Sequence, residues 1–173
     1  LCPTNQAELE LMLRHAILEM KGPVAVRYPR GCDAAYTQAA ASPILRAGRD
    51  ITLVSYGTLI NQVLRAAELL EKQGISAEVL KLPSIKPIDF SVIRTSARKT
   101  GHLLVAEEAV CIGCAGKEIA GMLRTEGMNP VIRLCNAGDR FVPQGAVSDL
   151  YRLLGLDAES LAKTALEVLN HEA

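Results

Sequence analysis

The chain alternates between two hydrophobic periods. Apolar residues such as Leu9 and Met12 recur at three- and four-residue spacing over residues 6–20, which predicts an amphipathic helix. Short, continuous apolar runs elsewhere are typical of strands that are buried on both faces. The predicted strands cover residues 24–28, 51–55, 77–82, 102–106 and 131–134.

Helical segments separate the predicted strands from residue 51 onward. Thr58, Asp89 and Asp157 are predicted N-caps of three of these helices, and Gly155 is predicted to end a fourth. Strands that alternate with helices predict an α/β fold, in which helices cover both faces of a mostly parallel sheet to form a three-layer sandwich. Residues 31–50 show no clear period, and we interpret them as a linker.

Composition and charge narrow the possible functions. The 173 residues carry 19 basic and 19 acidic side chains, so the net charge is zero, which argues against non-specific binding to nucleic acid. No apolar run approaches the ~20 residues that a membrane-spanning helix needs. The first residues lack the blocks of a signal peptide, so we expect a cytoplasmic setting; they also lack a starting Met, which indicates a fragment.

Cys111 and Cys114 form a Cys-x-x-Cys pair, which could be a redox pair or half of a zinc site. A zinc site needs further ligands, and the other candidates, Cys32, His102 and Cys135, form no second closely spaced pair. A redox pair of the thioredoxin type would open a helix directly after the first strand, and this pair follows a later one. We therefore interpret the pair as small residues in a tight turn.

The same turn holds two further candidates. Gly113 and Gly116 precede a helix whose backbone N–H groups could hold a phosphate, but no phosphate-binding Lys accompanies them, so close packing of the turn is favoured. Glu107 and Glu108 follow a strand at its carboxyl end, where open α/β sheets bind ligands. Because neighbouring strand residues point to opposite faces, we do not expect them to act as a paired acid and base.

The three histidines, His15, His102 and His171, show no spacing that indicates a ligand or catalytic set. We expect His15 on the polar side of its helix and His171 in a frayed terminus. We predict no catalytic, cofactor-binding or metal-binding residue in this chain.

Arg27 lies in an otherwise apolar predicted strand, and Arg30 follows it just past a proline. A guanidinium at the end of a strand binds a phosphate or carboxylate through two parallel hydrogen bonds. A structural ion pair is the alternative for Arg27. We assign no role to Arg30.

Residues 22–31 read Gly-Pro-Val-Ala-Val-Arg-Tyr-Pro-Arg-Gly and strongly resemble a stretch of the 1-deoxy-D-xylulose-5-phosphate synthase family. These synthases are thiamine-diphosphate enzymes of the transketolase superfamily. Other segments resemble the family in the same order, and together they span essentially the whole chain. They are residues 54–58, 85–89, 105–108, 141–145 and 154–157.

This resemblance implies that the chain is the carboxyl-terminal part of a longer enzyme, which condenses pyruvate with glyceraldehyde 3-phosphate and releases carbon dioxide. Residues 1–45 would be the end of a pyrimidine-binding domain (one helix and one strand) with a linker, and residues 46–173 a transketolase C-terminal domain. Thiamine diphosphate and Mg²⁺ would serve the full-length enzyme, and none would bind this fragment, whose role would be structural or in dimerisation. The implied partners are the remaining domains of the same enzyme and a second copy in a homodimer.

The resemblance also assigns Arg27 to the phosphate of the phosphorylated sugar substrate. Cys111 and Cys114 stand where the family usually has glycines. Three alternatives stay open: a C-terminal subunit of a split transketolase, a 2-oxoacid dehydrogenase β chain, and a stand-alone binding or oligomerisation module.

Overall fold

The computed structural model describes residues 1–29, 34–37, 39 and 42–170. Within those residues, strands and helices alternate between residues 51 and 135. The elements are α1 (Gln6–Leu18), β1 (Ile44–Arg46), β2 (Ile51–Ser55), α2 (Ile60–Glu71), β3 (Ala77–Lys81), α3 (Phe90–Thr100), β4 (His102–Ala106), α4 (Ala115–Thr125), β5 (Val131–Cys135), α5 (Val147–Leu154) and α6 (Ala158–Asn170).

The strands form one five-stranded sheet in the order β1-β3-β2-β4-β5. Strands β2 to β5 are parallel, and Leu53 of β2 lies level with Val79 of β3 and Leu104 of β4. Only the edge strand β1 runs antiparallel, against β3. The predicted mostly parallel sheet is therefore confirmed.

Helices cover both faces of this sheet. On one face, α2 and α6 pack over a core that includes Leu53 and Val79. On the other face, α3 and α4 pack over Val54 and Leu80. Every residue of β2 and β3 is buried, so neither strand alternates between buried and exposed positions, and the two charged residues of β3, Glu78 and Lys81, are both ion-paired.

Two of the predicted N-caps are confirmed. Asp89 accepts a hydrogen bond from the backbone N–H of Ser91 at the start of α3, and Asp157 accepts one from Ser160 at the start of α6. The prediction for Thr58 is wrong. A short 3-10 turn occupies Gly57–Leu59, so α2 begins one residue later and has no side-chain cap.

The predicted strand at 24–28 is not a strand in the structure. A strand needs a partner, and this segment instead bonds to the first residue of the chain: Leu1 N donates to Ala25 O at 2.7 Å, and Arg27 N donates to Leu1 O at 2.9 Å. The predicted linker at 31–50, in turn, contains the short strand β1.

Helix α1 is where the sequence predicted it, ending two residues earlier. Its apolar side is largely uncovered: Leu11, Ile17 and Leu18 expose 59%, 76% and 65% of their surface. The buried residue of this helix is Glu8. Polar contacts, rather than an apolar face, therefore hold α1 against the sheet.

Candidate functional site

Cys2 and residues 27–29 lie at the carboxyl edge of the parallel sheet. Cys2 N donates to Pro83 O at 2.9 Å, just beyond the end of β3. Residues 27–29 then lie beside Gly57 and Thr58, which follow β2, and beside Glu108, which follows β4. Parallel α/β sheets bind their ligands at this edge, so these residues form the candidate site.

Arg27 is at the centre of the candidate site. Its Nη2 donates to Glu108 Oε2 at 3.2 Å, and its guanidinium carbon lies 5.9 Å from the centre of the Tyr56 ring. The side chain is 49% exposed, so donors remain open to solvent. The structure thus shows the ion pair that the sequence offered as the alternative for Arg27, and leaves room for an anion beside it.

Two clefts meet at Arg27. The smaller has a volume of about 50 Å³ and lies between residues 27–29, Gly57, Thr58 and Glu108, which is room for a few waters or one small anion. The larger, of about 420 Å³, also has Arg27 in its walls, together with Val24, Ile85 and Lys86. Arg27 therefore borders both clefts.

Glu107 is fully buried and caps α4 from outside the helix. Its carboxylate accepts hydrogen bonds from the backbone N–H groups of Ala115 and Gly116 at 3.0 and 2.9 Å, and from the hydroxyl of Tyr56 at 3.0 Å. Burial and the neighbouring Glu107 carboxylate raise the pKa of Tyr56 well above its ordinary value. Glu107 thereby fixes the aromatic ring that lies beside Arg27.

Gly116 is required for this cap. A Cβ at this position would lie 2.9 Å from Glu107 Oε1 and 2.7 Å from Leu134 Cδ2. The turn glycine therefore serves close packing, as the sequence predicted for it.

Glu108 points away from Glu107, as expected of adjacent residues at a strand end. One of its carboxylate oxygens binds Arg27, and the other accepts a hydrogen bond from the hydroxyl of Tyr151 on α5. Burial and this carboxylate raise the pKa of Tyr151 well above its ordinary value. The two glutamates therefore have separate partners and do not form an acid–base pair.

The Cys-x-x-Cys pair lies in the turn before α4. Cys114 occupies the N-cap position and is buried, while Cys111 is half-buried, and both thiols are free. Burial raises the pKa of Cys114, which lowers the thiolate fraction that redox chemistry requires. Cys135 is also free, and Cys32 lies outside the described residues. These observations favour the interpretation of small turn residues.

The histidines are dispersed. His15 is exposed and pairs at 2.9 Å with Glu19, which directly follows the end of α1, and His102 Nδ1 lies 3.0 Å from Thr100 O. Arg30 and His171 lie outside the described residues. Within the part of the chain that the structure describes, no three His, Cys, Asp or Glu residues are grouped so as to hold a metal ion.

Sequence reasoning missed a buried ion pair between Lys81 at the end of β3 and Glu8 of α1. Both side chains are only 4% exposed, and Glu8 also accepts a hydrogen bond from Thr4 N at 2.9 Å. Burial favours the neutral form of Glu8, but the hydrogen bonds from Lys81 and Thr4 outweigh it and lower the pKa of Glu8. The sequence held one indication of this pair, because Lys81 is a charged residue at the end of a predicted buried strand.

Among the described residues, no helix combines the length and apolar character that crossing a membrane would take.

Comparison with known proteins identifies similar domains. The sequence model of the transketolase C-terminal domain matches residues 40–161. A 1-deoxy-D-xylulose-5-phosphate synthase of Heliobacterium modesticaldum is 38% identical over 97% of this chain, which spans 27% of that relative's length. A putative transketolase C-terminal section of Methanocaldococcus jannaschii is 32% identical over 99% of this chain. This chain spans 56% of the length of that relative.

A solved structure has the same architecture. It is described as a split-gene transketolase in an inactive β4 tetramer, and it superposes with a TM-score of 0.80 at 29% identity. The match covers 99% of this chain and 57% of that one.

Proposed function

Because the chain belongs to the transketolase C-terminal domain family, we propose that it is the carboxyl-terminal part of a thiamine-diphosphate-dependent synthase. That synthase condenses pyruvate with glyceraldehyde 3-phosphate to 1-deoxy-D-xylulose 5-phosphate and releases carbon dioxide. The observation that carries this proposal is the 38% identity to a relative of that name over nearly the whole chain. The chain spans about a quarter of such relatives, so the remaining domains of the enzyme are its first partners.

The chain itself has a supporting role in this proposal. Its buried carboxylates are committed to internal donors: Glu8 to Lys81, Glu78 to Ser96 and Lys99, and Glu107 to Tyr56 and the start of α4. These residues do not fit thiamine diphosphate or its Mg²⁺, so we assign both to other parts of the enzyme. The chain then contributes a structural and dimerisation domain, in a cytoplasmic homodimer.

We place the division just before β1, two residues ahead of the boundary that the sequence predicts, because β1 pairs with β3 in the sheet of the second part. The first part is the end of a pyrimidine-binding domain with its linker, and the second is the transketolase C-terminal domain. The exposed apolar side of α1 supports this division, since Leu11, Ile17 and Leu18 would pack in the rest of the first domain.

Arg27 is the chain's contribution to substrate binding in this proposal. Its half-exposed guanidinium lies at the carboxyl edge of the sheet, and Arg27 borders two clefts. A guanidinium binds the oxygens of a phosphate through two parallel hydrogen bonds, which a lysine cannot do. We therefore assign Arg27 to the phosphate of glyceraldehyde 3-phosphate.

Calorimetry tests the supporting role. Titration of the chain with thiamine diphosphate and Mg²⁺ should release no binding heat above that of dilution. Measurable affinity would overturn the assignment of the cofactor to other domains.

Kinetics of the complete enzyme test Arg27. The substitution Arg27→Ala should raise the KM for glyceraldehyde 3-phosphate at least about tenfold and leave the KM for pyruvate within about twofold, because a charge-assisted contact is lost from one substrate only. Equal effects on both substrates would refute the phosphate role.

A split transketolase is the second candidate. Two matches, one to a transketolase C-terminal section and one to a split-gene transketolase, each cover 99% of this chain. Each also covers more than half of the matched chain. The two candidate enzymes differ in their donor substrates. A synthase consumes pyruvate and releases carbon dioxide, whereas a transketolase transfers a ketol unit from a sugar phosphate, so an assay of the reconstituted enzyme with each donor decides between them.

A further inference from the structure

We propose that Glu108 is a resident anion of the Arg27 site, and that it makes this site select phosphate over carboxylate. The proposal rests on the proposed function of Arg27 and adds to it the residue that determines its specificity. In the free chain the Glu108 carboxylate occupies part of the guanidinium, and a ligand must displace it.

The geometry shows a divided carboxylate. Glu108 Oε2 takes one hydrogen bond from Arg27 Nη2 at 3.2 Å, and Oε1 is held by the hydroxyl of Tyr151. A guanidinium can instead form two parallel bonds to one carboxylate, and that stronger arrangement is not made here. Tyr151 therefore keeps Glu108 from engaging Arg27 fully.

Exposure makes the contact exchangeable. Arg27 is 49% exposed and Glu108 28% exposed, and ion pairs as accessible as this one are held weakly. When an anion takes the guanidinium, the Glu108 carboxylate stays on Tyr151 and needs no new partner. The small cleft lined by Gly57 and Thr58 offers space for the incoming anion.

Exchange favours a phosphate for a reason of charge. A monocarboxylate that replaces Glu108 brings the same single charge as the group it removes, so its only advantage over the resident group is the second parallel hydrogen bond. A phosphate monoester brings up to two charges and three acceptor oxygens, and can form the paired bonds that Glu108 does not. Glu108 therefore penalises carboxylates more than phosphates, which suits an enzyme whose other proposed substrate, pyruvate, is a carboxylate.

Substitutions at Glu108 and Tyr151 should act in opposite directions. Glu108→Gln keeps an acceptor for Arg27 and a polar group for Tyr151 but removes the competing charge. Tyr151→Phe removes the hydroxyl that restrains Glu108, so the carboxylate can pair fully with Arg27. The first should tighten phosphate binding, and the second should weaken it.

The experiment is a nuclear magnetic resonance titration of the ¹⁵N-labelled chain with inorganic phosphate or acetate at constant ionic strength. The backbone amides of Gly57 and Thr58 report binding in the small cleft. We expect Glu108→Gln to tighten phosphate binding about three- to tenfold, and to lower the preference for phosphate over acetate. We expect Tyr151→Phe to weaken phosphate binding about two- to threefold.

Two controls complete the set. Glu118→Gln makes the same charge change on the exposed surface of α4 and should alter the phosphate affinity less than twofold. Arg27→Met should abolish the phosphate response in the wild-type and Glu108→Gln chains alike. Dispersed amide spectra establish that each variant is folded.

The outcomes separate this proposal from the one on which it rests. If Glu108→Gln leaves phosphate affinity and the phosphate-to-acetate preference unchanged while Arg27→Met abolishes binding, Glu108 is not a resident anion, and Arg27 remains the phosphate contact. If the response to phosphate survives Arg27→Met, or is missing even in Glu108→Gln, both assignments fail.

Discussion

Arg27 Nη2 lies 3.2 Å from Glu108 Oε2, although 81 positions separate the two residues in the chain. This contact joins the segment before β1 to the loop that follows β4. The buried pair of Glu8 and Lys81 makes a second such connection, from α1 to the end of β3. The buried pair therefore anchors the first part of the chain to the sheet, while the more exposed contact of Arg27 with Glu108 remains exchangeable.

Removing one partner of the buried pair should destabilise the chain. Glu8→Gln leaves the Lys81 ammonium buried without a counter-charge, and we expect it to lower the free energy of unfolding by about 3 kcal/mol. Urea denaturation followed by circular dichroism measures the change. Glu10→Gln, on the exposed side of the same helix, is the matched control and should change the stability by less than about 0.5 kcal/mol.

The double variant Glu8→Leu, Lys81→Met tests whether the uncompensated charge is the cause. Replacing both charges by apolar side chains removes the desolvation cost of each, so the double variant should be more stable than Glu8→Gln alone. A double variant that is less stable than Glu8→Gln would show that the pair's hydrogen bonds, rather than its charge balance, hold α1 in place.

The same pair should make stability depend on pH. The pKa of Glu8 is lower in the folded chain than its ordinary value of 4.5, so the folded state binds the proton less tightly than the unfolded state does. Its contribution is therefore complete above about pH 4.5 and is lost as the pH falls through the lower, folded pKa. Denaturation of wild type and Glu8→Gln between pH 3 and 7 should show a stability difference that shrinks below that value. A difference independent of pH would contradict the pairing.

Much of the sheet could be predicted from the sequence, because β2, β3 and β4 are buried almost throughout and are therefore rich in apolar residues. The same rule failed at residues 24–28. An apolar run becomes a strand only beside another strand, and here the backbone bonds to Leu1 instead. Strand β1 was missed for the opposite reason: its three residues are too few to show a period, and β3 determines its pairing.

The candidate site was only partly predictable. Arg27 stands out as a charged residue among apolar ones, and Glu107 and Glu108 follow a strand where ligands bind. Their partners could not be found by spacing, since Tyr56 lies 51 positions from Glu107 and Tyr151 lies 43 positions from Glu108. Only the fold brings these side chains together.

The stability of the chain should depend on the negative charge of Glu107. Three donors converge on its buried carboxylate, and the amide of Glu107→Gln would turn an N–H group toward at least one of them. We expect this variant to lose about 2–3 kcal/mol of stability, and Tyr56→Phe, which removes one donor only, to lose about 1 kcal/mol. Urea denaturation compares the two. If the two variants lose the same amount of stability, the hydrogen bonds from the backbone N–H groups of α4 to Glu107 contribute nothing to it.

The last prediction compares two glycines on α4. A Cβ at Gly116 would lie 2.7 Å from Leu134 Cδ2 and 2.9 Å from Glu107 Oε1, whereas a Cβ at Gly121 meets nothing within 4 Å. Gly116→Ala must displace a carboxylate that is anchored by its own hydrogen bonds, so we expect a loss of about 1–3 kcal/mol. Gly121→Ala gains helix propensity at an exposed position and should stabilise the chain by about 0.4–1 kcal/mol.

Because both substitutions add one methyl group to the same helix, their difference reports the close approach of Leu134 and Glu107 to Gly116 and not the chemistry of alanine. Thermal unfolding measured on the two variants side by side should move the transition in opposite directions. If Gly116→Ala is as stable as Gly121→Ala, the carboxylate of Glu107 yields without cost. In that case the cap on α4 does not hold Tyr56 in place beside Arg27.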